Sequence, residues 1–108
     1  MPERRLRLTV NSQGDIKLPI GETLTVEATI EAENVEAGEA RITVDGQHLA
    51  VFSPDPIPLP AGAYSRHLTW GVGALESTRA SRLSAAQVTV TARAGALFKI
   101  AQFNVVVV

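Results

Sequence analysis

Residues 85–108 read AAQVTVTARAGALFKIAQFNVVVV, and this stretch decides the fold. Val88, Val90 and Ala92 alternate with Thr89, Thr91 and Arg93, the period of two of a half-buried β-strand. A reversal is expected at Ala94-Gly95, followed by a second strand. Along that strand the phase changes: Phe98 and Ile100 are even-numbered, whereas Phe103, Val105 and Val107 are odd-numbered. One extra residue near Ala101, a β-bulge, would account for the change, and would turn Phe98 and Ile100 toward a different surface. The chain then ends Val105-Val106-Val107-Val108, apolar on both faces. Such a strand needs cover on both sides, and an unprotected apolar edge pairs with other chains. Phe103, Val105, Val106, Val107 and Val108 are therefore the expected protein interface.

Upstream, the same period recurs in shorter pieces. Residues 4–10 place Leu6, Leu8 and Val10 on one face, and residues 15–19 suit a short continuation that switches sheets. In residues 22–32, Leu24, Val26, Ala28, Ile30 and Ala32 alternate with threonine and glutamate, as in an antiparallel sheet wet on one side. Residues 33–39 read as an acidic connection. Asp45-Gly46 is a strong type I′ turn signal, and a hairpin over residues 40–52 would set Ile42 opposite Leu49 and Ala40 opposite Val51. Prolines 54, 56, 58 and 60 confine residues 53–60 to an edge or a crossing, because proline brings no N–H to a ladder. In residues 63–72, Tyr64, Leu68 and Trp70 share a face that Arg66 interrupts. Residues 74–83 could wind one or two helical turns with Leu75 and Leu83 inward.

A chain of 108 residues is the length of one domain, here residues 1–108. Abundant valine and threonine favour strands, and the glycines and prolines fall mostly between apolar runs. A net charge of −1 lacks the basic excess of a nucleic-acid binder. The charge is unevenly spread. Residues 21–45 carry Glu22, Glu27, Glu31, Glu33, Glu36, Glu39 and Asp45 against Arg41 alone, a balance of −6. Residues 60–108 carry Arg66, Arg79, Arg82, Arg93 and Lys99 against Glu76, a balance of +4. These are read either as solvated strand faces or as complementary patches for self-association. With no cysteine, disulfides and thiolate chemistry are excluded. No apolar run follows the arginines of the N-terminus as in a secretory signal, and none approaches the ~20 residues of a membrane helix.

These features predict an all-β fold, an antiparallel two-sheet sandwich of about seven strands, with a jelly-roll or small β-barrel as the alternative. The run Leu59-Pro-Ala-Gly-Ala-Tyr64 leading into the Leu68/Trp70 strand, then Val88-Thr-Val-Thr91, resembles bacterial and phage immunoglobulin-like or fibronectin-III-like domains. The resemblance covers most of the chain as strand rhythm, without the Cys…Trp…Cys signature of antibody domains. It implies a sandwich and transfers no active site.

No chemical motif stands out. His48 and His67 are expected to be solvated on different strands, not zinc ligands. No nucleophile elbow, phosphate-binding glycine loop or calcium loop is present, so neither enzyme activity nor a cofactor is expected. The expected function is a structural assembly protein: a virion accessory such as a phage capsid decoration or tail protein, virion-borne or cytoplasmic, binding itself or a larger shell. The alternative is a binding or spacer module of a secreted or cell-surface protein, such as an adhesin repeat or an accessory domain of a carbohydrate-active enzyme. Nucleic acid and membrane are not expected partners.

Overall fold

The computed structural model describes residues 3–11, 15–46, 48–52, 55–75 and 86–108. Among the described residues there are nine strands: β1 (Arg5–Val10), β2 (Asp15–Leu18), β3 (Thr23–Val35), β4 (Gly38–Val44), β5 (Leu49–Val51), β6 (Ile57–Leu59), β7 (Gly62–Ala74), β8 (Ala86–Ala94) and β9 (Leu97–Val107). They form two sheets, of order β1-β3-β7-β5 and β2-β9-β8-β4-β6. The first matches the A-B-E-D order of immunoglobulin domains, and β9-β8-β4 matches G-F-C. The expected switch after the first strand is present: β1 pairs antiparallel with β3, while β2 crosses to the second sheet and pairs parallel with β9.

The core is built from the inward rows of both sheets. Val26, Ala28, Ile30 and Ala32 of β3 face it alongside Leu68, Trp70 and Val72 of β7. Val88, Val90 and Ala92 of β8 close it from the other side with Ile42 of β4 and with Phe103, Val105 and Val107 of β9. Arg66 lies in the inner row opposite Ile30 yet is exposed. β5 pairs only with Leu49's partner Ala74 and its neighbours down to Val72, so the Arg66 stem can leave over an unflanked edge. The 13-residue strands β3 and β7 make the domain elongated, with extents of 53 × 22 × 19 Å.

Four local expectations are corrected. The hairpin over residues 40–52 does not form. β4 pairs with β8 and β6, and β5 pairs with β7 in the opposite sheet. A type I′ turn needs φ > 0 at both central residues, and Gly46 is not among the residues of positive φ. Instead, the Asp45 carbonyl accepts from the amides of His48 (3.1 Å) and Leu49 (2.9 Å) as the chain crosses the sandwich. Ile42 and Leu49 both point inward, but from facing sheets, and period-two patterning cannot separate those cases.

The acidic connection is mostly strand. β3 continues through a register shift between Ala32 and Val35, where Asn34 takes φ 53°, a left-handed conformation that asparagine tolerates. β9 has no bulge at Ala101. Its register with β8 runs unbroken from Ala94↔Leu97 to Ala86↔Val105, so the odd residues face inward throughout and Phe98 and Ile100 stand on the outer face. Finally, Leu75 is exposed rather than inward. The rest of the proposed helical turn, from residue 76, lies outside the described residues.

The proline segment behaves as expected. Ile57-Pro58-Leu59 forms the edge strand β6 against Gly38–Ala40 of β4.

Candidate functional site

The valine terminus is core rather than an open edge. Phe103, Val105 and Val107 are buried, Val106 is half-buried, and only Val108 is exposed. This half of β9 has β8 on one side and β2 on the other, Asp15↔Asn104 through Leu18↔Val107. The change of sheet from β1 to β2 supplies the cover that an apolar terminus requires.

The other half of β9 differs. Among the described residues β2 pairs with β9 from Asp15↔Asn104 onward, and residues 97–103 have no strand partner opposite β8. Every residue from 97 to 102 is exposed or half-exposed, on both faces of the strand. On the outer face Phe98 is 57 % and Ile100 54 % exposed, opposite Arg93 and Thr91 of β8. Beside them Glu39 holds Arg41 (3.0 Å) and Arg93 (3.6 Å). Phe98, Thr91, Arg41 and Arg93 line a shallow depression there.

Other open edges in the described structure carry protective features. β1 presents Arg5 and Arg7, β6 contains Pro58, and β5 is three residues long. The uncovered parts of β4 and β7 show Arg41 and Thr43, and Arg66 and His67. Among the described residues, the β9 stretch combines a missing neighbour with two large exposed apolar side chains, and Lys99 is its one charge.

The inner side of this stretch opens into a groove of about 740 Å³ at the β1 edge. Leu97 and Lys99 form one wall, and the row Leu6–Ala32–Tyr64 forms the other. Lys99 stands on the β9 wall and Arg4 at the rim, whereas Arg5 and Arg7 alternate with buried Leu6 and lie with Glu33 and Glu31 on the outer face of the first sheet. The β1 arginines make only long, exposed pairs: Arg7–Glu31 at 3.9 Å, Arg5–Glu3 at 3.7 Å and Arg4–Glu36 at 4.0 Å. Lys99 has no ion-pair partner among the described residues. The Tyr64 hydroxyl is buried without a hydrogen-bond partner among the described residues. Burial raises its pKa above the ordinary 10.0, with the Arg66 charge opposing.

The remaining sequence candidates are placed as follows. Folding offsets part of the charge segregation along the chain, because acidic β3 lies beside β1, with Arg7 on Glu31 at 3.9 Å. His67 is exposed, as expected. His48 is not solvated but fully buried where the chain crosses between sheets. Trp70 is core. The residues that patterning missed were the cationic rim and Tyr64, which meet only through β1–β9 packing. The outward Phe98 and Ile100 were visible as an apolar pair in phase with Gln102, Asn104 and Val106 once no bulge is inserted.

No protein-family model matches the chain, and no curated protein matches it. Solved structures do. A chimeric titin Z1Z2 functionalised with an exogenous KLER peptide from decorin superposes with a TM-score of 0.56 at 14 % identity, covering 99 % of this chain and 98 % of that one. A family 123 glycoside hydrolase from Clostridium perfringens, studied for glycolipid glycan hydrolysis, gives a TM-score of 0.53 at 8 % identity. The match covers 96 % of this chain and only 27 % of the hydrolase. At such identities the likeness is one of architecture, not of activity. With the two sheet orders, it shows an immunoglobulin-like β-sandwich.

Proposed function

We propose that this chain is a non-enzymatic binding or structural module that docks a protein through residues 97–102 of β9. The observation that carries this reading is that residues 97–102 have no strand neighbour opposite β8 among the described residues and carry exposed Phe98 and Ile100. Extended segments add to such edges through main-chain hydrogen bonds, and flanking side chains supply the selectivity. The partner is a second copy or a component of a larger assembly. The narrower role of a virion accessory, such as a capsid decoration or tail protein, rests on sequence features alone, as does that of an adhesin or enzyme-accessory spacer. A glycan-stacking role for Trp70 finds no support, since its ring is in the core.

The test is to pan a random-peptide display library on the wild-type chain and on the Phe98→Asp/Ile100→Asp variant. Selected peptides are then mapped by amide chemical shifts. Peptides enriched only on the wild type, and shifting residues 97–102, are expected. Enrichment equal on both proteins, or shifts confined to other surfaces, would rule the docking edge out.

A further inference from the structure

We propose that the occupant of the β9 edge is an extended segment of alternating apolar and acidic residues, added as a strand beside residues 97–102; this rests on the docking reading above. A strand joining the second sheet there has two rows of side chains. One row lies on the outer face next to Phe98 and Ile100, and must be apolar to cover them. The other row points into the groove between β9 and β1, where Lys99 stands on the inner wall with Arg4 at the rim. Carboxylates in that row complement the rim, and lysines in it would be repelled. The same charges argue against pairing this edge with its own copy. Two β9 edges side by side would bring two cationic grooves together. The chain's own acidic strand, β3, is paired on both sides and is not available to a second copy.

The test is a titration of the isotope-labelled full chain, followed by amide shifts, with end-blocked peptides of about seven residues, a typical strand length. One peptide alternates valine with glutamate, a second valine with lysine, and a third serine with glutamate. A heparin-derived oligosaccharide serves as a polyanion without a strand backbone. The valine–glutamate peptide is expected to shift residues 97–102 and to bind about fivefold more tightly than the valine–lysine peptide, as exposed ion pairs to Lys99 and Arg4 supply. That preference should shrink at high ionic strength and disappear in Lys99→Glu. The serine–glutamate peptide should bind more weakly than the valine–glutamate one.

Equal binding of the valine–glutamate and valine–lysine peptides at residues 97–102 would overturn the acidic partner while leaving the docking edge standing. Absence of binding by the valine–glutamate peptide would overturn the inference as well, with the docking edge then judged by the library selection. An oligosaccharide that shifts Arg4, Arg5, Arg7 and Lys99, but not Phe98 and Ile100, would show a polyanion site in place of a strand site.

Discussion

Gly38→Ala offers a sharp test of the packing of β4 on β8. A Cβ at residue 38 would overlap the Arg93 carbonyl oxygen, and would lie 2.6 Å from its carbon and 2.9 Å from Ala94 Cα. All three atoms belong to the backbone of β8, a central strand, so no rotamer change relieves the overlap. The strands must part at the Gly38↔Ala94 and Glu39↔Arg93 pairs. Strain of this kind costs about 1–3 kcal/mol, and each ladder hydrogen bond lost adds about 1 kcal/mol. The exposed Glu39–Arg93 ion pair adds little. Against this, alanine reduces the entropy of the unfolded chain, a gain of about 0.4–1 kcal/mol. The net expectation is a loss of about 2–3 kcal/mol. At about 4–8 °C per kcal/mol for a domain near this size, Tm falls by roughly 10–20 °C. Gly46→Ala is the control. Its Cβ meets nothing within 4 Å and its φ is not positive, so its stability should be unchanged or slightly raised. Urea unfolding of both variants measures the difference. If Gly38→Ala proves as stable as Gly46→Ala, the β4–β8 register described here is wrong.

Three further outcomes are expected. Tyr64→Phe removes a buried hydroxyl that has no partner among the described residues and should stabilise the domain by about 1 kcal/mol in urea unfolding. Because the folded pKa of Tyr64 is raised, its contribution is complete below about pH 10 and is lost as pH rises through the folded value; Tyr64→Phe should lack that part of the alkaline loss. Ile30→Ala empties a fully buried site between the sheets and should cost about 2–5 kcal/mol by the same measurement. Cross-strand NOEs should connect Ile42 with Val90 and Leu49 with Ala74; a contact pattern pairing Ile42 directly with Leu49 in one ladder would restore the hairpin.

Much of the architecture was legible in local pattern. The alternation of β3, β7 and β8, the proline edge at Pro58 and the sheet switch at Asp15 each follow from strand period or missing donors, and those signals are local. What was not legible is what depends on the facing sheet. Ile42 and Leu49 carry the same inward phase whether they pair in one sheet or face each other across the core. Phe98 and Ile100 looked like a register slip because an outward apolar pair on an unbroken strand is unusual. It makes sense once the edge beside them is open. The valine terminus looked like a docking edge because nothing local reveals that β2 returns to cover it. The groove draws on β1, β3, β7 and β9, residues far apart in sequence, and only the assembled sandwich brings Lys99 to the same groove as Leu6 and Tyr64.

The central claim is that, among the described residues, β9 is covered in one half and open in the other. Residue-resolved amide hydrogen exchange on the isolated chain tests it directly. Amides of residues 104–107 should all be slow, held by β2 and β8 in alternation. Within residues 97–103 slow and fast amides should alternate, the fast ones facing the open edge and slowing when a strand docks. Uniform protection from residue 97 to 107 in the isolated chain would contradict the account.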